Sequence, residues 1–64
     1  MNGYSVKTEN GQKYIIILTD DGRYLPAKKF FWTGFGIGFE DSLEDAKRAI
    51  EKHAGAKIRD IRFR

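Results

Sequence analysis

Cysteine is absent from these 64 residues, and histidine occurs only as His53. No disulfide can therefore staple the fold, and a lone imidazole cannot assemble a zinc site. A chain this short buries only about 60% of the surface its unfolded form exposes, so one dense core must carry the stability. Proline also occurs once, at Pro26. Lacking an N–H, it assigns its segment to a sheet edge or a bulge. No apolar run approaches the roughly 18 residues of a membrane helix, and the first residues do not read as a signal peptide. The sequence thus predicts one soluble, cytoplasmic domain over residues 1–64, with no membrane partner. Charge of either sign is not dominant: twelve Lys and Arg stand against nine Asp and Glu, a net +3. That balance permits an anionic partner without requiring one.

What the chain does have is apolar mass and turn signals. It is 41% hydrophobic, with one Trp, three Tyr and five Phe. Asn10-Gly11 and Asp20-Asp21-Gly22 predict tight hairpin turns with two positive-φ positions each. Between them Lys13 to Thr19 is β-branched and short, a strand. Tyr4 to Thr8 pairs before it and Arg23 to Phe30 returns after it. Trp32-Thr33-Gly34 reads as a bend, and Phe35, Ile37 and Phe39 alternate onto one face of a fourth strand. The glycines between them, Gly36 and Gly38, leave the other face open to close approach.

Ser42 and Asp45 have the spacing of a capping box, and Leu43, Ala46, Ala49 and Ile50 recur at helical period. Glu44 and Asp45 in the first turn and Lys47, Arg48 and Lys52 later suit the helix dipole. Gly55 is a natural stop, so the helix spans about 43–54. Lys57 to Phe63 follows as a last strand. Ile58 and Ile61 are out of phase there, so a bulge intervenes or one of them faces outward. The fold class is α+β: a small antiparallel sheet of four to five strands with one helix on one face. The expected core is Ile15, Ile17, Leu25, Phe35, Ile37, Phe39, Leu43, Ala46, Ile50 and Ile61. The central strand is apolar on both faces, which one helix cannot cover alone. Sheet curling, Phe30-Phe31-Trp32 or a partner must close the second face.

Catalysis finds little support. A nucleophile needs a base and an orienting group, and His53 lies in the last helical turn, where a structural role suffices. The carboxylate pairs Asp20-Asp21, Glu40-Asp41 and Glu44-Asp45 each have a turn or helix-start explanation. Gly34 to Gly38 lacks the Gly-Lys-Ser/Thr of a phosphate loop and the spacing of a dinucleotide fingerprint. No cofactor or metal is expected.

Thr33 to Asp41, followed by Glu44 to Ile50, resembles the second half of an RNA-recognition motif: a Gly-Phe-Gly strand, an acidic turn, then Asp-Ala-x-x-Ala-Ile on a helix. The likeness covers about a third of the chain. Thr33 stands where that family has a basic residue, the Phe35–Phe39 run is one residue short, and Leu18 to Thr33 leaves no room for the family's first helix and second strand. The phrasing reads as convergent.

Two functional readings remain. The first is a small non-catalytic module acting through contact with another protein or with itself as a homodimer, of the kind phages and mobile elements encode as inhibitors or regulators. The alternative is a nucleic-acid-binding module. It would use a basic and aromatic sheet edge, Lys28, Lys29 and Trp32, with the C-terminal Arg59, Arg62 and Arg64, since cations beside aromatic faces suit phosphates and stacked bases. The mild net charge ranks the protein partner first.

Overall fold

The computed structural model describes residues 3–29 and 34–63, with 34 and 35 described by their backbone alone. Five strands and one helix follow in the order β1 (Gly3–Thr8), β2 (Lys13–Leu18), β3 (Tyr24–Lys29), β4 (Gly34–Gly36), α1 (Leu43–Ala54) and β5 (Ile58–Phe63). The strands form one antiparallel sheet in the order β4-β3-β2-β1-β5. The first four make a meander, so β4 and β5 run the same way at opposite edges and α1 is the crossover between them. A single crossover covers a single face. This is the α+β architecture expected, and not the β-α-β-β-α-β chain order of the ferredoxin-like folds.

Both hairpin loops use one device. Thr8-Glu9-Asn10-Gly11-Gln12 and Thr19-Asp20-Asp21-Gly22-Arg23 each close on their threonine. The Gly11 and Gly22 N–H groups donate to the Thr8 and Thr19 carbonyls at 3.0 and 3.1 Å. The Gln12 and Arg23 N–H groups donate to the two threonine hydroxyls at 3.0 and 2.9 Å. Only the glycine is left-handed in each, at φ 82°. These are three-residue loops ending on a glycine bulge, so the expected pair of positive φ angles is corrected to one. Asn10 also reaches across to α1, its Nδ2 donating to the Ala54 carbonyl at 2.9 Å.

The helix begins and ends where its sequence signals stand. The Ser42 hydroxyl accepts from the Asp45 N–H at 3.1 Å. Gly55 closes it at φ 70°, its N–H on the Glu51 carbonyl at 2.9 Å. Glu51 then ties the helix to β5 by accepting the Ile58 N–H at 2.8 Å.

Val6, Tyr14, Ile16, Ala46 and Ile50 form the buried cluster, with Ile37, Leu43, Ile58 and Ile61 packed around it. The helix therefore sits on the Tyr14–Ile16 face of β2. The expected core residues Ile15, Ile17 and Leu25 lie on the other face and are only half-buried. Alternation alone made either face eligible. Tyr14 lies on the buried one: it is 1% exposed, and its hydroxyl meets His53 Nδ1 on α1 at 2.8 Å. Burial pushes the phenol pKa above its ordinary value.

Two bulges explain the remaining departures. In β5 the pairing steps from Lys7–Asp60 to Thr8–Ile58, so Arg59 is the extra residue and both Ile58 and Ile61 face the helix. Beyond β4, Ala27 pairs Gly36 while Tyr24 pairs Glu40, one residue more on the returning strand. Gly38, at φ 146°, takes up the slack. The extra residue shifts Phe39 out of phase with Ile37, and Phe39 is 58% exposed rather than core. The Pro26 carbonyl accepts from Ile37 at 2.8 Å, so its nitrogen faces this interrupted ladder. Pro26 is thus tolerated by the bulge, in an interior strand.

Candidate interaction face

On the face away from α1, cross-strand register arranges the side chains in rows. The first runs Lys29, Lys13, Lys7, Asp60. Lys13 pairs Lys7 and Lys7 pairs Asp60, and Lys29 lies one step beyond the Tyr14–Lys28 pair, beside Lys13. The second row is Gly36, Ala27, Ile15, Ser5, Arg62. The third is Leu25, Ile17, Gly3. Gly38 and Phe39 together stand opposite Leu25, which places the exposed Phe39 at this third, apolar end.

The three rows span about 14 Å along the strands, two steps of roughly 6.8 Å. The middle row is made largely of small residues, Gly36, Ala27 and Ser5. Gly36 has no Cβ, and one placed there would come within 3.0 Å of Leu25 Cδ1, so Leu25 leans across it. Ser5 and Ile15 floor a shallow depression of about 170 Å³ walled by Lys7, Lys13, Lys29, Asp60 and Arg62. Asp60 and Arg62 are themselves paired, Nε to Oδ2 at 3.1 Å.

Around the depression this face gathers four cations, Lys7, Lys13, Lys29 and Arg62, against one acid, Asp60. Three lysines side by side on neighbouring strands repel one another, an arrangement that folding alone disfavours.

The residues singled out in the sequence are only partly brought together. Lys29 and Arg62 share the depression. Lys28 lies on the helix side, its Nζ 5.4 Å from the centre of the Tyr14 ring and bonded to Gln12 Oε1. Arg59 is exposed at the β5 bulge. Trp32 and Arg64, with Phe30, Phe31 and Thr33 of the expected bend, lie outside the described residues. Lys7 and Lys13 were missed in the sequence. Their signal was positional: each is the odd-numbered neighbour of a core residue, Val6 or Tyr14, and the two fall opposite one another once the Asn10-Gly11 hairpin closes.

Among the described residues no cluster of three or more His, Asp or Glu is placed to hold a metal, and no helix is long and apolar enough to cross a membrane. Compared with protein families, with curated proteins and with solved structures, the chain matches none.

Proposed function

We propose that this chain is a non-catalytic protein-binding module whose working surface is the helix-free face of the sheet. The observation that carries the reading is the composition of that face. An apolar end made of Leu25, Ile17 and Phe39 adjoins a row of charged groups, across a hollow floored by Ser5 and Ile15. Protein interfaces join an apolar, aromatic-bearing centre to a polar rim in this way. The groups from which an active site would be built have structural work instead. His53 holds Tyr14, and the Ser42 hydroxyl caps the helix at the Asp45 N–H.

A photo-crosslinking residue placed at Ser5 tests this, with the same residue at Arg48, on the exposed side of α1, as control. The reading requires discrete protein adducts from Ser5 and none of them from Arg48. Identical adducts from both positions, or nucleic-acid adducts from Ser5, would overturn it.

The lysine row supports a second reading, a polyanion surface for nucleic acid. Four phosphate contacts, to Lys7, Lys13, Lys29 and Arg62, predict a log–log salt slope of roughly −2.8 to −3.6 for oligonucleotide binding. No binding at about 50 mM salt, where nonspecific affinity is highest, would retire it.

A further inference from the structure

Resting on the protein-binding reading, we infer that the partner is an acidic protein surface that presents carboxylates beside an apolar ridge. The ridge fills the hollow over Ile15, and the carboxylates meet Lys7, Lys13 and Lys29. Charge complementarity is the argument. The lysine row sets three like-charged side chains on neighbouring strands about 5 Å apart, and the carboxylate that pairs with the row, Asp60, is already engaged by Arg62. An acidic partner relieves that repulsion, steers encounter and fixes register.

Two other occupants fit less well. A second copy would bring a face of the same net positive charge against this one. A nucleic acid offers uniform negative charge, whereas this surface ends its cationic row in Asp60 and opens on Leu25, Ile17 and Phe39. Carboxylates at one end, an apolar ridge, and a group that tolerates Asp60 at the flank form a mixed pattern that a folded protein surface supplies.

The test uses the isotope-labelled full chain and three amphipathic helical peptides sharing one leucine stripe. They differ only in the residues flanking the stripe on one side, all Glu, all Gln or all Lys. A single-stranded oligonucleotide is the fourth probe. Amide shifts at Ser5, Ile15, Ile17 and Lys29 report the face. The Glu peptide should bind there about tenfold more tightly than the Gln peptide at low salt, and the Lys peptide least. The triple variant Lys7→Glu, Lys13→Glu, Lys29→Glu, checked for retained shift dispersion, should reverse the order and prefer the Lys peptide. Phe39→Ala should weaken all three peptides alike.

Equal binding of the Glu, Gln and Lys peptides would overturn the acidic-partner inference and leave the docking face standing. Tighter binding of the oligonucleotide than of the Glu peptide would overturn both. No shift at the face with any probe also counts against both. Two findings in the free protein would assign the face to another occupant and overturn the inference: concentration-dependent shifts at Ser5 and Ile15, for a second copy, or nuclear Overhauser contacts from Trp32 to the Ile15 methyls, for the chain's own aromatic segment.

Discussion

The hydroxyl of Tyr14 lies 2.8 Å from Nδ1 of His53, the two rings meeting edge to face at 84° with centroids 5.7 Å apart. The bond joins the centre of the sheet to the last turn of the helix, on the face where Val6, Tyr14 and Ile16 form the core. Tyr14→Phe removes the bond but keeps the packing, so it should cost about 1 kcal/mol in a urea melt. His53→Ala in the same background should add less than it does alone.

The same tyrosine sets an alkaline limit. Its pKa is raised by burial, so the folded chain holds the proton more tightly than the unfolded one. The stabilisation is complete below the ordinary tyrosine value of about 10 and is lost as pH rises through the folded value. Stability followed from neutral pH into this range should fall less steeply in Tyr14→Phe than in the natural chain. Parallel curves would mean that another group governs the alkaline loss.

Ser42 offers a check on the crossover helix. Its hydroxyl accepts one of the first-turn N–H groups, that of Asp45, and Ser42→Ala should cost about 1 kcal/mol. A change under about 0.2 kcal/mol would place the start of the helix elsewhere.

Much of the fold was legible because local signals agreed with one another. Ser42, Asp45 and Gly55 bound a helical stripe from Leu43 to Ala54, and the helix forms over those residues. The out-of-phase Ile58 and Ile61 required either a bulge or an outward-facing isoleucine, and a bulge at Arg59 is what forms. The choice of sheet face was not legible. Tyr14, Ile16 and Leu18 are as apolar a set as Ile15 and Ile17, and they separate only once register sets Val6 and Ile61 in the row of Tyr14 and Ser5 and Arg62 in the row of Ile15. The bulge at Gly38 also left no mark, because a glycine in alternation looks like any strand glycine until its φ is known. The candidate face inherits both difficulties. Its lysines come from three strands, and they become a row only when register is fixed.

Thr19 and Asp21 give a pH-sensitive handle on the second hairpin. The Thr19 hydroxyl donates to the Asp21 carboxylate and lowers its pKa, with smaller help from backbone N–H groups and Arg23. The sign follows from the ionised form being favoured in the fold. The contribution is present above the ordinary carboxylate range and disappears as pH falls through the folded value. Thr19→Val should therefore raise the Asp21 titration midpoint, read from its carboxyl carbon shift. An unmoved midpoint would mean that the backbone donors alone hold the carboxylate.

Lys13 carries the sharpest consequence of the charge arrangement. It lies between Lys7 and Lys29 on neighbouring strands, and like charges directly opposite destabilise a sheet by a few tenths to about 1 kcal/mol. Lys13→Glu turns two repulsive cross-strand pairs into attractive ones. If folding were the only demand on this row, the substitution would be an improvement, and the free chain should indeed become more stable by about 0.5–1 kcal/mol. The gain should shrink as salt rises, because exposed pairs are screened over about 8–10 Å at physiological ionic strength. The same variant should bind the Glu-flanked peptide more weakly. Greater stability with weaker binding from one substitution identifies a row kept for a partner at a cost to the fold. Thermal melts at low and high salt, set beside the peptide titration, measure both, and a Lys13→Glu chain less stable than the natural one at low salt would show that Lys13 serves the fold itself.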